Sequence, residues 1–149
     1  MDIKNVPEKF FREIRKVEIY PANALKYKDN YTGQKPSGNP LHTFNVIPEN
    51  FTHKFPTKIK SGNYYYEPDF GFPLVELSIA LRNQLYIDLN KKEFAIGLIS
   101  NVETIYFGND REPITVQITD DLQNDNSGEA QYYISIFGNT ILPPKAKTN

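Results

Sequence analysis

Residues 75–89, VELSIALRNQLYIDL, carry an apolar side chain at seven of their eight odd-numbered positions, and Asn83 is the exception. Side chains in a β-strand alternate between the two faces of a sheet, so this period of two predicts two half-buried strands around a tight turn at residues 82–84. A rival pattern at helical spacing also exists: Leu74, Leu77, Leu81 and Leu85. We favour strands because the alternation is the longer pattern. The alternative is a helix over 74–89 and an α+β fold.

Similar alternation elsewhere in the chain predicts further strands. They lie at residues 17–20, 42–46, 54–60, 63–67, 94–98, 102–106, 114–118 and 132–136. Ser61-Gly62-Asn63 separates two of them and predicts a hairpin turn, because Gly and Asn tolerate a positive φ. Eight or nine strands spaced roughly 8–12 residues apart are typical of an all-β antiparallel sandwich or barrel. Eight strands with one long early excursion fit a jelly roll best. The predicted fold is therefore a single-domain, jelly-roll-like β-sandwich with a short N-terminal helix.

The two ends of the chain differ from its centre. Pro7 suits the first turn of a helix, and Glu8 suits the positive end of the helix dipole. Phe10, Phe11 and Ile14 would form the apolar stripe of that helix. We therefore expect a helical arm at residues 1–16, the β-sandwich domain at 17–142, and a flexible tail at 143–149 after two consecutive prolines.

Two internal segments lack a strand pattern. Residues 21–40 are rich in Gly, Pro, Asn and Lys, and a structureless connection of about 20 residues is uncommon in a small domain. Such a segment predicts a binding loop, an arm held by a neighbouring chain, or a mobile region. Residues 69–73, DFGFP, are rich in turn-forming residues and predict a break before residue 74.

Composition excludes several classes of protein. The 149 residues include no cysteine, which excludes disulfides and cysteine-based metal or thiol chemistry. The formal net charge of −1 does not supply the basic surface usual in nucleic-acid-binding proteins, so we do not expect nucleic acid as a partner. No stretch has the length and hydrophobicity of a signal-peptide core or a membrane helix. We expect no membrane partner, and a location in a virion or the cytoplasm.

The sequence contains no motif that identifies a catalytic or metal site. The two histidines, His42 and His53, lack the spacing of a metal-ligand pair. Neither a Gly-x-Ser-x-Gly motif nor a glycine-rich phosphate-binding loop is present. We therefore predict no catalytic residue, no metal site and no cofactor. The loop at 120–129, DDLQNDNSGE, leaves a calcium site as an alternative to an ordinary solvated loop, although its spacing does not match an EF-hand.

Aromatic residues are frequent, with ten tyrosines, ten phenylalanines and no tryptophan. The run at 64–66 consists of three tyrosines, so on a strand their side chains point to both faces and at least one meets solvent or a partner. Tyrosine is enriched at interfaces because it joins a large apolar ring to a hydroxyl group. The predicted protein-interface residues are Phe10, Phe11, Tyr27, Tyr31, Tyr64, Tyr65 and Tyr66.

These observations favour a non-enzymatic structural protein that assembles with copies of itself or with neighbouring subunits through its arm and loops. A virion component, such as a bacteriophage capsid, penton or minor structural protein, is the most specific form of this hypothesis. The alternative is a module that binds a small ligand or carbohydrate, with the tyrosines at 64–66, Phe70 and Phe72 around a pocket. An enzyme on a β scaffold ranks last because no motif supports it.

Overall fold

The computed structural model describes residues 1–3, 12–75, 77–120 and 131–149. Within these ranges there are two α-helices, α1 (Tyr27–Tyr31) and α2 (Ile79–Asp88), and short 3-10 turns at Ala22–Ala24 and Pro48–Asn50. The strands are β1 (Ile14–Pro21), β2 (His42–Asn45), β3 (Thr52–Lys54), β4 (Thr57–Lys60), β5 (Asn63–Tyr66), β6 (Asp69–Val75), β7 (Lys91–Ser100), β8 (Glu103–Phe107), β9 (Ile114–Asp120), β10 (Gln131–Phe137) and β11 (Ala146–Thr148).

The long strand β7 joins two halves of the main sheet. It pairs with β1 from Phe94 to Ser100, while β9 pairs with its beginning and β8 with residues 96–99. One half therefore has the order β2-β1-β7-β8-β11, and the other has the order β7-β9-β10-β6-β3. The pairings between these strands are antiparallel.

The two halves pack against each other and enclose the main hydrophobic core, while Tyr20, Leu25 and Ala95 form a second, smaller cluster. Phe44 on β2 lies 5.4 Å from Phe72 on β6, measured between ring centroids, and Phe107 on β8 lies 5.2 Å from Phe70 on β6. Alternate residues of the strands supply the core, as the buried set on β9 shows: Ile114, Val116 and Ile118. The predicted all-β sandwich is confirmed. The strand order does not confirm the jelly-roll connectivity.

The predicted break at residues 69–73 is wrong, because these residues begin strand β6. Glycine fits at residue 71, since a Cβ atom there would collide with the ring and hydroxyl of Tyr133 on β10. Pro73 is tolerated because β3 begins with Thr52 opposite Gly71, which leaves that side of β6 without a strand partner at Pro73. Gly71 therefore makes room for a neighbouring ring, and Pro73 occupies a position where one side of β6 has no strand partner.

The predicted strand pair at 75–89 is also wrong, because residues 79–88 form helix α2. The Ser78 hydroxyl accepts a hydrogen bond from the Leu81 backbone N–H at 3.2 Å and caps the helix. Leu85 and Leu89, one turn apart, are buried, whereas Ile79 and Ile87 are 69% and 67% exposed. The helical alternative is therefore correct for this stretch, with narrower bounds, although the fold remains all-β.

The loop and the tail are more structured than the sequence predicts. Within residues 21–40, helix α1 buries Asn30, whose amide donates to the Tyr106 carbonyl at 3.1 Å and accepts from Asn109 at 3.0 Å. Strand β11 pairs with β8 inside the tail predicted to be flexible. Strand β1 begins at Ile14, within the predicted arm, and residues 4–11 of that arm lie outside the described residues. The boundaries of arm, domain and tail otherwise stay a prediction.

Candidate functional site

The hairpin formed by β4 and β5 is a two-stranded sheet separate from the main sheet. Its turn residues, Ser61 and Gly62, have positive φ values of 53° and 81°. Two consecutive residues of this kind form a turn whose twist matches that of the flanking strands, so a two-residue loop closes the hairpin. The turn sets the register and places Ile59 opposite Tyr64. The predicted hairpin is confirmed, with somewhat shorter strands.

The outer end of the hairpin presents an apolar pair to solvent. Ile59 is 64% exposed and Tyr64 is 62% exposed, and as cross-strand neighbours they form a continuous patch. Lys58 and Lys60 flank Ile59 on a strand whose four residues are all exposed. We call Lys58, Ile59, Lys60 and Tyr64 the hairpin tip. The tip combines apolar surface with two positive charges.

The inner end of the hairpin is attached to the sandwich. Tyr66 exchanges two backbone hydrogen bonds with the buried Thr140, at 2.8 and 2.9 Å. Phe55 packs edge-on against Tyr66 and Phe107, with ring centroids 6.4 and 5.3 Å away. Tyr66 is half-buried in consequence, and its neighbour Tyr65 is half-buried as well. The hairpin is thus held at its base and exposed at its tip.

An acidic groove of about 370 Å³ lies at the base of the hairpin. It forms where β6 begins and β10 ends, because Asp69 is paired with Phe137. Phe137 is 38% exposed, and the exposed Asp69 carboxylate makes no hydrogen bond or ion pair with any described residue. Glu67 lies 4.0 Å from the Lys58 ammonium. We call this the basal groove, and its lining is Glu67, Pro68, Asp69, Phe137, Gly138 and Asn139.

Tyr27 and Tyr31 lie one turn apart on α1, and each ring is covered by a cation. The Arg111 guanidinium is 5.2 Å from the centre of the Tyr27 ring, and the Lys145 ammonium is 4.3 Å from that of Tyr31. Tyr27 also lines a groove of about 460 Å³ together with Lys26, Lys28, Asp110 and Arg111. Both rings therefore contact their own chain, and the groove beside Tyr27 is basic.

The structure places the predicted interface residues on separate elements. Tyr27 and Tyr31 come together on α1, the tyrosines at 64–66 lie on β5, and no ring contact in the described ranges joins the two groups. Phe10 and Phe11 lie outside the described residues. The interface role of these seven residues stays a prediction.

The predicted ligand pocket is wrong in its phenylalanines. Phe70 and Phe72 are only 3% and 1% exposed. They lie two residues apart on β6, so both side chains point to the same face, which is the core face. Both phenylalanines therefore belong to the core, and the ligand-binding alternative stays a prediction.

The ionisable pair nearest to a catalytic arrangement joins two elements of the fold. His42 Nε2 on β2 lies 2.8 Å from Asp88 Oδ2 at the end of α2, and Gln84 donates to Asp88 Oδ1 at 2.9 Å. The hydrogen bond from His42, and a smaller effect from Gln84, lower the pKa of Asp88 although partial burial opposes this. The pair fixes α2 to the edge strand β2.

Metal ligation and membrane insertion have no further support in the described ranges. No three His, Cys, Asp or Glu side chains there lie close enough together to hold a metal ion. Residues 121–129 of the loop at 120–129 lie outside those ranges, so the calcium alternative stays a prediction. None of the helices in the described part of the chain is both long and apolar enough to cross a membrane.

Sequence reasoning missed Ile59 and the basal groove. Ile59 could have been found, because counting outward from a two-residue turn at 61–62 pairs residue 60 with 63 and residue 59 with 64. The groove depends on the pairing of β6 with β10, which are far apart in the chain. No local pattern predicts that pairing.

Comparisons with protein families, curated proteins and solved structures found no match to this chain.

Proposed function

We propose that this protein is a non-enzymatic structural protein that assembles with neighbouring subunits through its hairpin tip. The main support for this proposal is the exposed Ile59–Tyr64 pair on a hairpin outside the main sheet. A two-stranded hairpin is marginally stable alone in water. Beyond the Tyr66–Thr140 bridge, its outer end offers a partner backbone hydrogen-bonding groups and the contact area of the apolar pair. A neighbouring subunit that covers the tip would form these hydrogen bonds and bury the apolar pair.

The most specific form of the proposal is a virion component, such as a bacteriophage capsid, penton or minor structural protein. Its support is an all-β sandwich that carries an exposed element beyond its main sheet, since such elements can reach neighbouring subunits in a symmetric assembly. A sandwich fold hosts many functions, so the hairpin tip and not the fold carries the proposal.

The solution mass of the full chain, measured by light scattering at several concentrations, tests the proposal. We expect a wild-type oligomer that the double variant Ile59→Ser/Tyr64→Ser converts to monomer, because the apolar contact is removed. Ile47→Ser is the matched control, since Ile47 is 61% exposed elsewhere in the chain, and it should remain oligomeric. A wild-type monomer that binds no other subunit, or an oligomer indifferent to the double variant, would contradict the proposal.

The second candidate function is binding of a small anionic ligand or acidic carbohydrate. The groove of about 460 Å³ beside α1 favours it, because three cations and the Tyr27 ring line that groove with Asp110. A thermal-shift screen with uronic acids, sugar phosphates and nucleotides tests it. Stabilisation should be lost in Lys28→Ala and kept in Lys16→Ala, which removes an exposed lysine from β1. A flat screen would count against ligand binding.

A further inference from the structure

We infer that the occupant of the hairpin tip is a second copy of this chain, related by a two-fold axis, with each tip lying on the basal groove of the other copy. The inference rests on the proposed function, because it requires the tip to be an interface. It adds the identity of the partner and the surface that receives the tip.

Charge complementarity favours a second copy. The tip carries Lys58 and Lys60, whereas the basal groove carries Glu67 and Asp69. The side chains of Lys60 and Asp69 are exposed and make no ion pair with any described residue. Lys60 leaves the face of the ribbon opposite to Ile59, because consecutive side chains of a strand alternate, and its long methylene chain lets the ammonium reach the edge of the ribbon. Each copy thus offers an unpaired cation and an unpaired anion to the other.

The apolar surfaces match in the same way. Ile59 and Tyr64 form the apolar part of the tip, and Phe137 supplies an exposed ring in the basal groove. Ile141, which follows the hairpin anchor Thr140, is 63% exposed. Aromatic and aliphatic surfaces surrounded by charge are typical of the centre and rim of a protein interface. Tip and groove therefore complement each other in both hydrophobicity and charge.

The size of the hairpin favours a reciprocal contact. A stable interface buries about 800 Å² on each partner, and a ribbon of four residues per strand is too small to provide this alone. In a two-fold contact each copy contributes both tip and groove, which doubles the buried area. The two surfaces adjoin on one copy, because Tyr66 at the base of the hairpin pairs with Thr140 and Lys58 lies 4.0 Å from Glu67.

Charge reversal at Lys60 and Asp69 tests the inference, because neither change breaks an ion pair within the chain. We expect Lys60→Glu and Asp69→Lys each to weaken dimerisation by about tenfold, since the change occurs twice in a two-fold dimer. The double variant should regain wild-type affinity. An equimolar mixture of the two single variants should do the same, because both contacts in the mixed dimer pair opposite charges. Sedimentation velocity on the full chain measures each dissociation constant.

Controls and outcomes separate this inference from the proposed function. Lys16→Glu and Glu93→Lys make the same charge changes at exposed positions on β1 and β7 and should leave the dimer unchanged, and circular dichroism confirms folding. Loss of affinity without recovery in the mixture overturns the inference. If Ile59→Ser/Tyr64→Ser disrupts the oligomer but charge reversal leaves it intact, the inference is overturned and the proposed function is retained. A wild-type monomer whose tip binds a different protein likewise overturns the inference and retains the proposed function, and masses above a dimer overturn the two-fold arrangement.

Discussion

At the scale of single residues, glycine positions show why local patterns mislead. Gly71 and Gly97 are strand residues, and the rings of Tyr133 and Tyr106 lie where a Cβ atom would be, within 2.7 and 2.9 Å. Glycine inside a strand commonly marks such a close approach. The sequence at 69–73 predicts a break because it cannot show that Tyr133 covers Gly71. The residue type indicates that glycine is conformationally free, but it does not identify the neighbouring ring that leaves no room for a side chain.

Gly108, which directly follows β8, should be intolerant of a side chain. Its φ is +83°, and a Cβ atom would lie 2.7 Å from both Ile114 Cγ1 and the Phe94 carbonyl oxygen. We expect Gly108→Ala to lower the free energy of unfolding by about 3 kcal/mol, from backbone strain and a packing clash together. Urea denaturation measures this loss.

Gly38→Ala is the matched control for Gly108→Ala. Gly38 has a similar φ of +74° but no atom within 4 Å of the Cβ position. It should lose only about 1 kcal/mol, the cost of the left-handed conformation. Equal losses at the two positions would show that the clash at Gly108 relaxes freely.

At the scale of elements, helix α2 shows where sequence periodicity alone cannot distinguish a helix from a strand. The stretch at 75–89 satisfies both a period of two and a helical spacing, and periodicity alone cannot choose between them. The Ser78 cap and the burial of Leu85 and Leu89 against the sheet favour the helix. By contrast, the hairpin at 57–66 is predictable because Gly62 permits the positive φ that a tight turn needs, although the other positive φ falls on Ser61 and not on Asn63. Exposed Ile79 and Ile87 account for the apolar excess that imitates a strand.

The contact between Asp88 and His42 should make the attachment of α2 dependent on pH. Hydrogen bonding lowers the pKa of Asp88 in the folded protein. Its stabilisation is therefore present above the pKa of the unfolded chain, about 3.9, and is lost as the pH falls through the lower folded value. We expect Asp88→Asn to cost about 0.5–1 kcal/mol at pH 5, a small value because the pair is partly exposed.

Urea denaturation at pH 5 and at pH 2.5 tests the Asp88 prediction. The difference between wild type and Asp88→Asn should shrink at the lower pH, because pH 2.5 lies below the pKa of the unfolded chain and part of the stabilisation is already lost there. Glu93→Gln is the control, since Glu93 is exposed on β7 and should show no such trend. A difference that stays constant between the two pH values would contradict the proposed coupling between Asp88 protonation and stability.

At the scale of the whole molecule, the sequence predicts the elements better than their assembly. Most strands follow from alternation, because one face of each strand is buried and the other is not. The role of β7, which pairs with β1, β8 and β9, depends on long-range contacts that leave no local signal. The same is true of β11, whose exposed residues AKT resemble a loose tail but pair with β8. The basal groove is a product of this assembly.

The shared core implies that both halves of the sheet unfold together. Phe72 on β6 is 1% exposed and lies 5.4 Å from Phe44 in the other half. We expect Phe72→Ala to cost about 3–5 kcal/mol, from lost burial and the cavity left behind, whereas Tyr86→Ala on the exposed surface of α2 should cost much less. Because β7 and the core connect the halves, protection against amide hydrogen exchange should weaken equally for Val17 on β1 and Ile134 on β10. Retained protection at Val17 with lost protection at Ile134 would show two separately unfolding units, and the single-domain interpretation would fail.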